Sequence, residues 1–406
     1  MTLEQIAQLE SQTLIPTYER LPILATRGEG CFLYDEHGKR YLDFLGGLAV
    51  NALGYNHPAL MAVLRDSSES LLHVSNLIYH PYQAPLAQKL SAISGLDRVF
   101  FANTGAEAVE GALKLARAHA GRAVSDGRFV ILAMENSFHG RTLGALSVTW
   151  PEKYRKPFEP LLPGIKFVRV NDLAHLNQSF SEHVAALMVE VIQGEGGVVE
   201  LEEGFLRAAQ QLCRTHGALL ICDEIQCGLG RTGRFFAYQK FGLEPDIVLV
   251  AKPLAAGLPL AAILARQRVA EAFHPGSHGS TFGGGPLQCR LALKFLEILE
   301  QPAFLDHVRH VGAYLRQKLL GLQEEFSSIR EVRGDGLIQA LELPLPGKEV
   351  VRRGLEAGLI FNCTQERVLR FLPPLIIEEE HVNQFIEGLR PILETVLAAQ
   401  MKGVHA

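Results

Sequence analysis

Four short stretches carry side chains whose type and setting suit them to chemistry. In "IVLVAKPLAAG", Lys252 ends an apolar run and precedes Pro253. Proline disfavours the helical conformation in the residue before it, so the lysine side chain is expected to leave the strand end and enter a crevice. An amine in apolar surroundings holds its proton less tightly and becomes a usable nucleophile; the plainer alternative is a lysine reaching for solvent. In "ICDEIQCGLGRTG", Asp223 ends a second apolar run. A carboxylate buried there is unfavourable unless a cation faces it, either an arginine or lysine of the chain or the protonated ring nitrogen of a bound heterocycle. In "FFANTGAEAVEGALK", Thr104 and Gly105 form a tight turn and a helix opens with Glu107. That is an anion cup of free N–H groups at a positive helix end, or else an ordinary helix cap. In "MENSFHGRT", a strand end is followed by Phe138 and then Arg141. Phe138 reads as a cover for a flat ring or as a core aromatic.

All four stretches fall at the carboxyl ends of expected strands, where open α/β sheets bind ligands. An anion cup, a ring cover, an acid for a ring nitrogen and a Schiff-base lysine are together the requirements of pyridoxal 5'-phosphate. That cofactor is an electron sink, and its ring nitrogen needs an anionic partner to stay protonated. A competing motif sits in the same place. Gly228, Gly230 and Gly233 match G-x-G-x-x-G, the dinucleotide signature of an NAD-dependent dehydrogenase. The context is wrong for it: "DEIQC" separates strand from glycines, Asp223 and Glu224 would repel a phosphate, and "RFFAYQKFG" opens no helical stripe. A metal is not expected, because His274 and His278 lie in "HPGSHGS", which is no helix and offers no third ligand nearby.

These residues need a scaffold. Seven apolar runs rich in β-branched or aromatic residues, at 98–103, 128–135, 166–171, 185–192, 218–224, 246–252 and 260–265, read as strands buried on both faces. Helical patterns lie between most of them. The segment 107–120 sets Val109, Leu113, Ala116 and Ala120 on one stripe; 204–217 sets Phe205, Ala208 and Leu212 on another, with Gly217 as its stop. The fold class is therefore α/β, a large domain with a mostly parallel seven-stranded sheet. After about residue 286 the pattern changes to two long helices, short strands and a last helix, a smaller α+β domain that the N-terminal helix and hairpin join. The expected division is 1–50, an N-terminal segment packing with the small domain; 51–288, the large domain; and 289–406, the C-terminal small domain.

Bulk properties narrow the function. The 406 residues are 48% hydrophobic, enough for a large core, and carry a formal charge of −5 with no basic run, which argues against nucleic acid. No apolar run approaches the ~18 residues of a membrane span, and the polar N-terminus lacks the pattern of a signal peptide. Six scattered cysteines without a C-x-x-C pair read as reduced thiols in a cytoplasm.

With these residues assembled, the chain resembles the class III (ornithine/acetylornithine-type) aminotransferases of PLP fold type I, and most of all their acetylornithine-type members. The resemblance runs from "TYERLP" through "LDFLGGLAVNALGYNHP", "NTGAEAVEGALKLAR", "FHGRTLGALS", "EVIQGEGGV", "ICDEIQCGLGRTG", "AKPLAAGLP", "GSHGSTFGGGP" and "VRGDGL" to "VLRFLPPLI". It implies that Lys252 forms the Schiff base and moves the proton, that Asp223 pairs with the pyridine nitrogen, and that Gln226 lies near the ring hydroxyl. It implies phosphate binding by Thr104, Gly105 and Ala106, stacking by Phe138, and a homodimer with shared active sites in which Thr281 reaches the phosphate in the partner subunit. Arg370 resembles the arginine that grips the α-carboxylate of glutamate and Arg141 the one that holds the distal carboxylate. Glu195 resembles the acid that pairs with the first arginine when an ω-amine is bound, and Tyr18 a tyrosine that helps hold a substrate carboxylate. Glu190 falls in the "EVIQGEGG" motif without an evident role. The implied reaction is a ping-pong transfer from N2-acetyl-L-ornithine to 2-oxoglutarate, yielding N-acetyl-L-glutamate 5-semialdehyde and L-glutamate, as in arginine biosynthesis. Ornithine, 4-aminobutyrate, succinyl-diaminopimelate or a lysine-pathway amine are the alternatives within the family, and a catalytically dead, binding-only homologue is a further one. The chain departs from the family at Ala255, Ala256 and Ala261, where glycines are usual, and at Gly285, where asparagine is. Alanine does not take positive φ readily, so the loop after Lys252 is expected to follow a different path or to pack differently.

Overall fold

The computed structural model describes residues 1–121 and 127–403. Its centre is a seven-stranded sheet of β1 (Arg98–Ala102), β2 (Val130–Met134), β3 (Ile165–Val168), β4 (Val184–Val189), β5 (Leu219–Asp223), β6 (Ile247–Val250) and β7 (Ala261–Ala265). The spatial order is β1-β7-β6-β5-β4-β2-β3. All seven are the expected runs, with ends shifted by up to three residues. β2, β4, β5, β6 and β7 are buried at every position, which is why they read as unbroken apolar runs rather than alternating ones. Only β7 runs antiparallel to its neighbours, pairing Ile247 with Ala265 and Ala261 with Ala102. The other six therefore point the same way, and their carboxyl ends deliver Asn103–Thr104, Ser137–His139, Glu190, Asp223 and Ala251–Lys252 to one edge of the sheet.

Two smaller sheets flank this one. Glu331–Asp335, Ile338–Glu342, Val368–Phe371 and Asn362–Thr364 form an antiparallel sheet. The N-terminal strands Ala25–Glu29, Phe32–Asp35 and Arg40–Asp43 form the other, completed by Leu359–Ile360, which pairs in parallel with the third of them. The long helices Pro286–Leu299, Pro302–Glu325 and Glu379–Gly403 accompany them. Among the described residues, no helix is long and apolar enough to cross a membrane.

Three local expectations need adjustment. The helix after β1 begins at Gly105, capped by Thr104, two residues before the expected start. The helix Glu203–His216 buries Phe205, Leu206, Ala209 and Cys213, leaving Ala208 and Leu212 half-buried, so its apolar face is turned by about one residue from the expected stripe. The loop after Lys252 does take a left-handed residue without glycine: Ala256 has φ of 49°. For an L-residue that conformation costs about 1–2 kcal/mol. Ala255 is buried, Ala261 is an ordinary strand residue, and Gly285 caps the helix Pro286–Leu299 at φ −59°, so none of these three needs a glycine's freedom.

Candidate active site

A cavity of about 370 Å³ opens at the carboxyl edge of the large sheet, and its wall includes Thr104, Gly105, Ala106, Phe138, Asp223, Gln226, Glu195 and Lys252. Lys252 follows β6, held by the turn through Pro253, and is half-buried against the cavity. Burial pushes its amine below the usual range, opposed by the attraction of Asp223. A lysine in this state supplies an unprotonated amine at neutral pH more readily than one in water.

Asp223 is the last residue of β5 and is buried. Its cation is neither arginine nor lysine. His139 Nδ1 lies 2.6 Å from Asp223 Oδ2, and the Ile225 amide donates to Oδ1 at 3.0 Å. An ionised carboxylate only accepts, so the histidine nitrogen is the donor. Burial alone would lower the His139 imidazole's proton affinity. The hydrogen bond and charge of Asp223 outweigh it, and the histidine is held above its ordinary range. Sequence reasoning passed over His139, although it stands inside the quoted "MENSFHGRT". A buried acid demands a cation, but this histidine follows β2, which reaches β5 only across β4, so sequence proximity does not reveal it.

The helix Gly105–His119 points its amino end into the cavity. Thr104 Oγ1 takes the Glu107 amide at 3.2 Å, while among the described residues the Gly105 and Ala106 amides find no acceptor. These are the free donors that an anion requires. Gly105 is also needed for packing, since a Cβ there would lie 2.9 Å from Ile225 Cδ1. A phosphate at this cup, a ring against Phe138 and a ring nitrogen toward Asp223 would leave Lys252 facing the ring's reactive end, so the residues present fit a phosphorylated pyridine aldehyde.

Beyond this group lies an arginine. Arg370, in the middle of Val368–Phe371, is fully buried. Its Nη1 is 2.7 Å from Glu195 Oε1 and donates to Gln226 Oε1 at 3.3 Å, while Nε donates to Asn362 Oδ1 at 3.2 Å. The Glu195 carbonyl in turn accepts from Thr364 Oγ1 at 2.6 Å and Gln365 Nε2 at 2.9 Å. Glu190 is buried beside this loop, and burial raises its carboxyl to about 7 against the pull of His139.

Three candidates are not brought to the cavity of their own chain. Arg141 is exposed, with its guanidinium 3.7 Å from the Tyr154 ring centroid and 5.5 Å from that of Phe138, a cation–π arrangement. Thr281 is exposed outside the cavity wall. Tyr18 is 80% exposed on the N-terminal segment, where it lines a separate concavity with residues 3–24.

The glycines of "GLGRTG" have a different task. No helix follows them until the short 3-10 turn Ala237–Phe241. Glu224 turns away from Asp223 and accepts the Ala237 and Tyr238 amides at 2.8 and 2.9 Å. Arg231 is buried and donates to the carbonyls of Leu337 and Pro373. The loop ties the large sheet to the C-terminal one.

Known proteins share this sequence and this fold. A model of the family described as aminotransferase class-III matches residues 14–393. The chain is 48% identical over 381 residues to an acetylornithine aminotransferase of Aquifex aeolicus, covering 94% of this chain and 99% of that one. It is 43% identical to an acetylornithine aminotransferase of Methanocaldococcus jannaschii, covering 98% of this chain and all of that one. Among solved structures, the ornithine aminotransferase of Toxoplasma gondii, reported with partial occupancy of PLP at its active site, superposes with a TM-score of 0.94 at 34% identity, covering 98% of this chain and 96% of that one.

Proposed function

Because the chain belongs to the class-III aminotransferase family, we propose that it transfers the ω-amino group of N-acetylornithine to 2-oxoglutarate, yielding N-acetylglutamate 5-semialdehyde and glutamate. The observation that carries this reading is the pair of Arg370 and Glu195 beside the cavity that holds Lys252. With Glu195 on Arg370, that end of the site is neutral and suits an amine carrier that brings no carboxylate there. With Glu195 displaced, the same guanidinium is free to take the α-carboxylate of 2-oxoglutarate in a bidentate grip. One cavity can then serve both half-reactions of a ping-pong cycle.

Pyridoxal 5'-phosphate, when bound, supplies an electron sink for the carbon next to the transferred nitrogen. Gly105 and Ala106 would hold the phosphate with their free amides, aided by the Thr104 hydroxyl and the positive end of the helix. Asp223, oriented by His139, would hold the proton on the ring nitrogen. Phe138 would cover one ring face, and Gln226 would lie near the ring hydroxyl. Lys252 Nζ, its proton affinity lowered by burial, would move a proton between the substrate carbon and the carbonyl carbon of the cofactor, in one direction in the first half-reaction and in the reverse direction in the second.

The active unit in this reading is a homodimer with shared sites. Leu77, Ile78, Tyr79 and Phe282 form exposed apolar surface in the chain neighbourhoods of the site, a liability for an isolated protomer. Phe282 adjoins Thr281, which would reach the phosphate in the partner subunit; Arg141 and Tyr18 would meet the substrate once the second copy orders their surroundings. The large domain would span 51–288, with 1–50 and 289–406 together making the small one. Five of the six cysteines are buried and none is bridged, which supports a reducing, cytoplasmic setting.

The test is the visible absorbance of the purified protein with pyridoxal phosphate. N-acetylornithine is expected to replace the band of the lysine-linked cofactor with that of its amine form, 2-oxoglutarate to restore it, and Lys252→Ala to abolish turnover. A response to ornithine or 4-aminobutyrate but not to N-acetylornithine would replace the substrate; turnover by Lys252→Ala would overturn the reaction.

A further inference from the structure

Glu190 follows β4 directly and is 5% exposed, yet no arginine or lysine pairs with it among the described residues. Its two carboxylate oxygens take backbone amides from two different walls of the cavity. Oε1 accepts from Phe138 at 2.9 Å, and Oε2 accepts from Gly194 at 3.3 Å. Phe138 is the ring cover; Gly194 precedes Glu195. The loop at Gly194 is pressed so closely onto Gln226 that a Cβ there would come within 1.6 Å of Gln226 Oε1, the same oxygen that accepts from Arg370. On its far side the loop is held through the Glu195 carbonyl by Thr364 and Gln365.

We propose that Glu190 is a positioning residue that fastens the ring-cover segment to the Glu195 loop and so holds the Glu195 carboxylate on Arg370. This rests on the reading of Arg370 and Glu195 given above and deepens it. A carboxylate is suited to the task because it offers two acceptors to two N–H groups. Glutamine of the same length offers one acceptor and one donor, so one of the two amides would face an N–H. Aspartate keeps both acceptors but is a methylene short of spanning the gap. If Glu190 were only a core acid, replacing it would loosen the cavity and weaken every ligand. If it holds Glu195 in place, replacing it frees Arg370 and strengthens the binding of a dicarboxylate that must displace Glu195.

The experiment is calorimetric binding of glutarate, an unreactive dicarboxylate, to the pyridoxal phosphate-loaded enzyme and to Glu190→Gln, Glu195→Gln and the double variant. Glu190→Gln is expected to tighten glutarate by about three- to tenfold, the worth of one hydrogen bond. Glu195→Gln should tighten it at least as much, and the double variant no further than Glu195→Gln alone, because the two act through one carboxylate. Glu190→Asp carries the same expectation and replaces Glu190→Gln if the latter does not fold. An unchanged or weaker affinity in the Glu190 variants, or full additivity with Glu195→Gln, overturns the proposal. A wild-type enzyme that transaminates no ω-amine removes the substrate reading instead, while the glutarate series still judges Glu190.

Discussion

The contact between His139 and Asp223 yields the sharpest prediction. The pair is buried, with side chains 0% and 3% exposed, and its 2.6 Å separation is that of a charge-assisted hydrogen bond. In His139→Asn the side-chain amide overlays Nδ1 and still donates, but without charge. In His139→Leu neither donor nor charge remains, and Asp223 keeps only the Ile225 amide. A hydrogen bond to a charged group contributes ~1.5–3 kcal/mol and a neutral one ~0.5–1.5 kcal/mol. Since ~1.4 kcal/mol is tenfold in rate, the asparagine variant should lose roughly 5- to 10-fold in kcat and the leucine variant roughly 10- to 150-fold. KM for the amine should change little, because His139 meets no substrate. The sign of the pH dependence follows from the raised proton affinity of His139. Its charge contribution is fully present below about pH 6.5, the ordinary histidine value, and is lost as pH rises through the higher folded value. Wild type and His139→Asn should therefore converge at alkaline pH. Steady-state rates from pH 6 to 10, with both substrates varied, make the measurement. Equal losses in the two variants, or a loss confined to KM, would refute the assignment of His139 as the charge that holds Asp223.

Two further outcomes are expected. Arg370→Lys keeps a charge but loses the planar fork, so KM for 2-oxoglutarate should rise by roughly 30- to 150-fold, ~2–3 kcal/mol, while KM for the amine moves less than about threefold; equal changes in both would count against it. Glu224, buried under the Ala237 and Tyr238 amides, has its carboxyl raised from 4.5 to about 7 by burial. A raised folded value means stability that is full below about pH 4.5 and lost as pH rises through 7, a contribution of ~3 kcal/mol. The melting temperature of wild type relative to Glu224→Gln should thus fall by ~3–4 °C between pH 5 and pH 8 in a chain of this size, and parallel melting curves would refute it.

The large sheet was legible because five of its seven strands are buried on both faces and so appear as continuous apolar runs between helical stripes. Smaller pieces were not. The helix Lys348–Glu356 is nine residues long and dominated by charged residues, and Leu359–Ile360 is two residues whose strand character comes wholly from pairing with Arg40–Asp43. Ala256 shows the limit of a rule about glycine: the loop accepts a left-handed alanine because its neighbours, the buried Ala255 and the strand beginning at Ala261, fix the path around it. His139 was missed for another reason. Nothing in its local pattern distinguishes it, and only the packing of β2 beside β4 and β4 beside β5 brings it to Asp223. Arg141, Thr281 and Tyr18 each stand on exposed surface outside the cavity of their own chain, and only the resemblance singles them out.

The adjacent acids at the end of β5 show how one short stretch divides its work. Successive strand residues face opposite sides of a sheet. Asp223 therefore looks into the cavity and meets His139, and Glu224 looks the other way and gathers the amides of Ala237 and Tyr238. The turn between them and Gly233 must then come back under the sheet, and it does so with positive φ at Gly230 and Gly233. Neither position has room for a side chain. A Cβ at Gly230 would lie 2.6 Å from Leu299, and one at Gly233 would lie 2.3 Å from Arg309. The spacing that mimics a dinucleotide loop thus arises from two close approaches to the helices Pro286–Leu299 and Pro302–Glu325, with Arg231 between them reaching the carbonyls of Leu337 and Pro373. Arg370 lies three residues before Pro373, so the same tie fastens the sheet that carries Arg370 to the loop that follows Asp223. In the proposed reading, the carboxylate grip of Arg370 and the acid that would face the ring nitrogen are thus held in one frame.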